Sequence, residues 1–463
     1  MARPNILLIQ SDQHRFDCVA TNGHTLLKTP NLDRLAAEGL NFAQAYTPIP
    51  VCVPTRNSLM VGQWSTEHLC IANTDTEAPR PAKEGSPTFS RMLRQEGYEL
   101  GCVGKWGVHP TRGPTHPDYG FHHYVDLRDY DTWRAAKGLA PRPTQGGWLG
   151  VVDRHIGPED SRLAWCADHT IRLIEAAVEG ETPFFIRWDS SAPHLPNVVP
   201  EPYASLYPPE AVAPWPSFPD PLTGKPYIQR QQRRTWGVDD WTWGDWAPIV
   251  SRYLGEISLL DAQIGRVLAA LDRLALTENT LVIYTTDHGD LCGGHGMVDK
   301  HYVMYDDVVH VPLLARWPAR CAPGRVSDAF VSHSVDLAMT FCEAAGAPVP
   351  ASFRGRSLMP LLEGASGNGR DDIFSVYHGN QFGLYSQRMV RDRRWKYVWN
   401  ATAEDELYDL STDPGEVHNC AADPTCAGDL DRLRHRLVVW MEETRDPLLN
   451  GWTRTQLLEG RSV

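Results

Sequence analysis

The sequence predicts an α/β fold with a large, mostly parallel sheet flanked by helices, followed by a small C-terminal α+β subdomain. Three observations carry this expectation. Short, mostly apolar and non-alternating runs at 5–10, 99–103, 184–188 and 280–284 suit strands buried on both faces of a parallel sheet. Helical patterns separate these runs through most of the chain. Beyond the Gly-rich stretch Gly364 to Gly369, the pattern changes to closely spaced short strands.

The first run, Asn5 to Gln10, ends in Ser11-Asp12, and a helix follows over Thr29 to Ala36 with Leu32 and Leu35 on one side. A second helix is expected from Ser86 to Glu96; Gly97-Tyr98 then opens the strand Glu99 to Val103. Thr182-Pro183 leads into the strand Phe184 to Trp188. The clearest helix is Tyr253 to Leu274, where Ile257, Leu260, Ile264, Leu268 and Leu271 recur at helical spacing. It hands over to the strand Thr280 to Tyr284, which runs out into Thr285-Thr286-Asp287-His288. In the last part, 372–378, 387–391 and 396–400 read as antiparallel strands closed by a helix from Gly428 to Thr444. The expected division is a catalytic domain over 1–368 and a C-terminal subdomain over 369–463.

With 463 residues, 42% hydrophobic and 22% charged, the chain has the composition of a folded enzyme of two or three units. The 44 Lys and Arg against 57 Asp and Glu leave a net charge of -13. That balance opposes non-specific binding to nucleic acid or to an anionic membrane. No apolar stretch approaches the roughly 20 residues of a membrane span, and the N-terminal run turns polar too soon for a signal peptide. A cytoplasmic location is therefore expected. The 10 cysteines form no C-x-x-C pair and no zinc spacing, so most read as small buried apolar residues. Cys420 and Cys426 are near enough in sequence to close a small loop, though nothing requires it.

Ligands of open parallel sheets bind beyond the carboxyl ends of the strands. Asp12 stands there after one strand, and Asp287 with His288 after another. Carboxylates gathered on one sheet edge repel unless a cation sits between them, which points to a divalent metal. From position alone, turn or helix-cap roles explain them equally well. The segment Val51-Cys52-Val53-Pro54-Thr55-Arg56-Asn57-Ser58-Leu59-Met60-Val61-Gly62 breaks the tie. Its C-x-P-x-R, followed by an apolar run and a glycine, resembles the maturation signature of the type I sulfatases of the alkaline phosphatase superfamily.

Further blocks follow in family order. Gly97-Tyr98-Glu99-Leu100-Gly101-Cys102-Val103-Gly104-Lys105-Trp106 is similar to the family's G-Y-x-T-x-x-x-G-K-W, with Leu100 in place of threonine. Pro193-His194-Leu195-Pro196 resembles its P-H-x-P loop. Thr286-Asp287-His288-Gly289-Asp290, with His295-Gly296 and Lys300, resembles its second metal-and-lysine block. Trp395-Lys396-Tyr397 and Glu406-Leu407-Tyr408-Asp409-Leu410 resemble its C-terminal subdomain.

The resemblance implies an alkaline-phosphatase-like sandwich and hydrolysis of sulfate monoesters. It implies that a formylglycine-generating enzyme converts Cys52 to formylglycine, whose hydrate attacks sulfur and later expels sulfate. Asp12, Gln13, Asp287, His288 and the modified side chain at Cys52 match the family's metal ligands, with Gln13 where many members carry a second acid. Oxygen-dominated ligation favours Ca²⁺, with Mg²⁺ or Mn²⁺ as alternatives. Arg56, Lys105, His194 and Lys300 match the contacts to nucleophile and sulfate, with His194 or Lys300 as the acid for the leaving oxygen. The family usually continues G-K-W-H, but here Gly107 takes that place and His109, two residues on, is the candidate replacement.

The substrate would be a small organic or carbohydrate sulfate ester, with no nucleic acid or membrane partner; a homo-oligomer is left open. Pro214 to Trp246 carries Trp215, Trp236, Trp241, Trp243 and Trp246 with Arg230, Arg233 and Arg234. It reads either as a pocket for a sugar or aryl group with a second anion or as an insertion packing its own small core. His68 and Asn73 are further candidates for the pocket lining. The rival activity is phosphonate monoester or phosphodiester hydrolysis. Those relatives share formylglycine, Gln after the first Asp, and Asp-His later, but place tyrosine where this chain has Lys105. A non-catalytic binding protein would predict decay of these residues, and all are present.

Overall fold

The computed structural model describes residues 3–73, 83–365, 369–379 and 384–459. Eight strands build the central sheet: β1 (Asn5–Asp12), β2 (Leu40–Phe42), β3 (Glu99–Gly104), β4 (His123–Asp126), β5 (Phe184–Pro193), β6 (Thr280–Thr286), β7 (Leu313–Arg316) and β8 (Arg325–Ser327). Their order is β8-β2-β7-β6-β1-β5-β3-β4. Only β7 runs against its neighbours, pairing antiparallel with β6 and β2.

The register of the central strands places the site. Asn5 to Ser11 of β1 pair residue for residue with Thr280 to Thr286 of β6. The next residues, Asp12 and Asp287, therefore leave the same edge of the sheet side by side. Alternation along β1 sends Ile6 and Leu8 into one core with Phe185 and Leu59, and Leu7 and Ile9 into another with Leu260 and Ile264. Both faces are dry, which is why the run is continuously apolar.

The helices that matter here are α1 (Pro30–Ala37), α2 (Cys52–Val61), α3 (Phe89–Gln95), α4 (Arg162–Glu179), α5 (Trp243–Arg273), α6 (His333–Ala345) and α7 (Ala427–Glu443). Helix α5 begins ten residues before the expected Tyr253, running through Pro248. A proline inside a helix forfeits one backbone hydrogen bond, and burial of Trp246, Ile249 and Val250 offsets it. The Asp245 carboxylate accepts the Thr242 backbone N–H at 2.8 Å and fixes the earlier start.

A second sheet is a four-stranded antiparallel meander of β9 (Ile373–Gly379), β10 (Tyr385–Arg391), β11 (Trp395–Asn400) and β12 (Glu406–Asp409). The strand β12 was not expected from the sequence. Leu433, Leu437 and Met441 of α7 share a core with Val390 and Val398 of this sheet. Asp306, from the main body, pairs with Lys396 at 2.6 Å and also with Arg391, so the two parts meet through buried charge as well as apolar surface. The expected boundary at residue 368 and linker residues 366–368 lie outside the described residues.

The cysteines carry free thiols, Cys420 and Cys426 included. No helix among the described residues is long and apolar enough to cross a membrane.

Candidate active site

Asp12 ends β1, Asp287 and His288 follow β6, and Cys52 is the first residue of α2. One ligand atom from each of the four residues lies within 4.8 Å of the other three. Cys52 Sγ is 3.7 Å from Asp12 Oδ1 and 3.2 Å from His288 Nε2. As the first residue of a helix, Cys52 sits where unpaired backbone N–H groups and the helix dipole favour negative charge. The Asn73 side-chain oxygen accepts the Val53 N–H at 3.2 Å, tying that helix start down.

The histidine is oriented as a ligand. His288 Nδ1 faces the Gly289 carbonyl oxygen at 2.9 Å, so Nδ1 must carry a proton and Nε2 is the nitrogen turned into the cluster. Burial alone would lower its pKa, yet Asp287 and Cys52 beside it raise it to about 9. A proton on Nε2 and a divalent ion there are therefore alternatives, and the ring would ligate only after that proton has left. Two carboxylates, one imidazole and the group at position 52 make a donor set that fits such an ion.

Arg56, one turn along α2 from Cys52, lies between the acids. Its Nη2 is 3.2 Å from Asp12 Oδ2 and 3.0 Å from Asp287 Oδ2, with every side chain fully buried. Lys105 Nζ approaches Asp12 Oδ2 at 2.5 Å, and its side chain is 29% exposed. The cluster therefore opens to solvent at Lys105. Lys300 Nζ donates to Gln13 Oε1 at 2.8 Å and to His194 Nε2 at 2.9 Å. Gln13 Nε2 in turn donates to Asp290 Oδ2 at 2.7 Å, so both ends of the amide are engaged. Although burial opposes its charge, Asp12 is held well below the usual carboxylate range by Lys105, His194, Arg56 and His288. Arg56, Lys105 and Lys300 are each paired with carboxylates here, so the positive charge that an anionic group would meet depends on a metal between Asp12 and Asp287.

The structure brings together Asp12, Gln13, Cys52, Arg56, Lys105, His194, Asp287, His288 and Lys300. It does not bring His109 to them. His109 Nδ1 accepts the backbone N–H groups of Thr111 and Arg112, both at 3.1 Å, within its own turn. The place opposite is filled differently. Gly107 has φ +56°, and a Cβ there would lie 2.9 Å from Arg56 Cδ. Gly107→Ala is thus expected to push Arg56 out of line while straining the backbone by about 1–3 kcal/mol. The expected result is roughly a tenfold loss of kcat/KM; unchanged steady-state kinetics would show that Arg56 is free to give way.

The structure adds Asp189, which sequence reasoning missed. It lies on β5, bonding Arg56 Nη1 at 2.8 Å and Arg187 Nη2 at 2.6 Å, with all three side chains fully buried. The signal was a pair of charges, Arg187 and Asp189, two apart in an otherwise apolar run. Asp299 likewise flanks Lys300 at 3.2 Å.

The tryptophan-rich segment takes the packing role. Trp246 is fully buried and stacks edge-on with Trp241 at 4.7 Å. Arg233 donates to the carbonyls of Asp220 and His295, and Arg230 to that of Leu222, so neither guanidinium is held out for a ligand. His68 is buried against α2, its Nε2 2.9 Å from Ser58 Oγ.

Residues 4–347 match the sulfatase family model, and residues 293–443 match a model described as N-sulphoglucosamine sulphohydrolase, C-terminal. An arylsulfatase of Clostridium perfringens is 28% identical over 501 aligned positions, covering 100% of this chain and 98% of the relative. An N-acetylglucosamine-6-O-sulfatase of Bacteroides thetaiotaomicron is 26% identical, covering 96% of this chain and 86% of the relative. Among solved structures, the phosphonate monoester hydrolase of Agrobacterium radiobacter superposes with a TM-score of 0.84 at 26% identity, covering 96% of each chain.

Proposed function

Because the chain belongs to the sulfatase family of the alkaline phosphatase superfamily and is a sulfuric ester hydrolase, we propose that it releases inorganic sulfate from small organic or carbohydrate sulfates through a formylglycine at position 52 and one divalent metal. The observation that carries this reading is the buried Asp12–Cys52–Asp287–His288 cluster, with Lys105 at its open side.

Cys52 Sγ stands in for the oxygen of the mature aldehyde or its hydrate. The hydrate supplies two geminal hydroxyls, one to take the sulfuryl group from the ester oxygen and the other to release sulfate as the aldehyde re-forms. Asp12, Gln13, Asp287 and His288 would hold the metal, Ca²⁺ by their oxygen-rich character, and it would supply charge to ionise the nucleophile. Arg56 and the helix start at Cys52 favour the ionised nucleophile. Lys105 and Lys300 offset charge on the sulfuryl oxygens. His194, with Nδ1–H donated to the Leu195 carbonyl at 2.5 Å, faces Lys300 with Nε2, and that pair hands a proton to the departing alcohol oxygen.

The likeness to a phosphonate monoester hydrolase supports a second reading, hydrolysis of phosphonate monoesters or phosphodiesters. One comparison separates the two: kcat/KM for an aryl sulfate against the matching aryl phosphonate monoester, on protein with the aldehyde at residue 52 verified by peptide mass. Sulfate is expected to be preferred, and Lys105→Ala to lower that activity about 10²–10³-fold. A preference for the phosphonate, or sulfate turnover untouched by Lys105→Ala, would sink the sulfatase reading.

A further inference from the structure

Helix α5 reaches the site through two residues one turn apart. Tyr253 donates its hydroxyl to the Gln13 carbonyl at 2.8 Å and accepts the Arg15 N–H at 2.9 Å. Glu256 accepts Asn197 Nδ2 through Oε2 at 2.7 Å. All three of Tyr253, Glu256 and Asn197 are buried. A carboxyl beside Ile257, Leu259 and Leu260 is costly to bury unless it is bonded. Burial pushes that of Glu256 up to about 7, although Asn197, Arg162, Arg142 and His194 draw it down. The space next to it is about 20 Å³, shared with Arg142, Asp153, Arg162 and Ser191, so protein and not bulk water surrounds it.

Both amide hydrogens of Asn197 are used. One goes to Glu256 and the other to the Pro193 carbonyl at 2.8 Å, which fixes the nitrogen end of the amide. The bond to Pro193 closes residues 193–197 around His194. Within that loop the His194 N–H goes to the Ser191 carbonyl at 3.1 Å and Nδ1 faces the Leu195 carbonyl, leaving Nε2 at 2.9 Å from Lys300 Nζ. The Asn197 carbonyl accepts the Val151 N–H at 3.0 Å, where Val151–Asp153 pairs parallel with Val198–Pro200. Asn197 Oδ1 is buried with no hydrogen-bond partner among the described residues. An amide that leaves its oxygen unbonded while both hydrogens are engaged is placed for those two bonds.

We infer that Asn197 and Glu256 are positioning residues for proton transfer: Asn197 closes the loop that aims His194 at Lys300, and Glu256 holds Asn197 to α5. The inference rests on the sulfatase reading and on the His194–Lys300 pair as the acid. As the S–O bond breaks, the ester oxygen keeps the bonding electrons and takes a proton from that pair, leaving as the neutral alcohol. A displaced His194 therefore matters most where the alcohol is a poor leaving group.

Steady-state kinetics on para-nitrophenyl sulfate, a good leaving group, and phenyl sulfate, a poor one, test this, with a thermal melt on each preparation and the aldehyde at residue 52 verified. Glu256→Met, apolar and similar in volume, and Asn197→Ala are each expected to lower kcat/KM for phenyl sulfate about tenfold or more, a share of what general-acid transfer contributes. For para-nitrophenyl sulfate the loss should stay below about threefold. Glu256→Gln keeps an acceptor for Asn197 and should stay within about twofold of wild type on both esters. The double variant Asn197→Ala, Glu256→Met should lose no more than Asn197→Ala alone, since the two residues act through one bond. Unchanged kinetics, equal losses on the two esters, a Glu256→Gln variant as impaired as Glu256→Met, or failure of both Glu256→Met and Asn197→Ala to fold overturns the inference and assigns the pair to packing. His194→Ala on the same esters keeps the two readings apart. A selective loss on phenyl sulfate there, with none in the Asn197 and Glu256 variants, removes this inference and leaves the acid. No selective loss in His194→Ala removes the acid, and this inference with it.

Discussion

Cys52→Ala is expected to abolish turnover, with a loss of about 10⁴-fold or more, because Cys52 supplies the thiol of the Asp12–Asp287–His288 cluster among the described residues. The neighbouring groups explain why substitution by another nucleophile does not suffice. Cys52 heads α2, next to Asp12 and His288, with Arg56 one turn below. A serine hydroxyl at this point meets the same charges and can accept the sulfuryl group. It has no second hydroxyl on the same carbon, so the sulfate ester it forms cannot collapse to an aldehyde. Cys52→Ser is therefore expected to release about one equivalent of alcohol per protein and then stop. Rapid mixing of the serine variant with an aryl sulfate, followed by intact-mass measurement, checks both the burst and the retained sulfate. Continued turnover by Cys52→Ser at the wild-type rate would remove the need for formylglycine.

The parts of the fold legible in the sequence were those with a strong physical period. The strands β1, β3, β5 and β6 announced themselves because both faces are buried, so most residues had to be apolar, and the charges that do occur within β5, Arg187 and Asp189, pair with each other. β2, β7 and β8 span three or four residues, too short for any pattern to emerge, and their places depend on pairing partners distant in sequence. The start of α5 was hidden by Pro248, a local breaker overridden by tertiary burial.

The same division holds at the site. Asp12, Cys52, Arg56, Asp287 and His288 lie on sequence blocks whose geometry is local: strand ends and a helix start. His109 illustrates the limit. Two residues along the chain place its ring in a separate turn, while the space beside Gly107 belongs to Arg56. The aromatic segment around Trp241 and Trp246 offered stacking surface on paper, but Trp246 is buried, Trp241 packs half-buried against it, and Arg230 and Arg233 bond to carbonyls.

Asp189→Asn carries the second large expected effect, and it separates stability from chemistry. The carboxylate receives Arg187 through Nε and Nη2 at 2.5 and 2.6 Å and Arg56 at 2.8 Å, all without access to water. An amide in its place brings no charge and turns N–H groups towards guanidinium donors. Breaking a buried pair in this way costs about 3–5 kcal/mol, since the surviving charge has no partner. Arg56 would then lose one of its three acidic contacts and swing towards Asp12 and Asp287, closing the space between nucleophile and sulfuryl oxygens. A fall in kcat of about 10²-fold is expected, the scale of a lost electrostatic contact. A thermal melt and steady-state kinetics on Asp189→Asn measure the two effects together. The double variant Arg187→Met, Asp189→Leu pulls them apart. Replacing a buried ion pair by apolar side chains of similar volume is often neutral for stability, so its melting temperature should recover most of the loss. Turnover should not recover, because Arg56 still lacks its anchor. If kcat returns with the melting temperature, Asp189 serves the core alone and the orientation of Arg56 is set by Asp12 and Asp287.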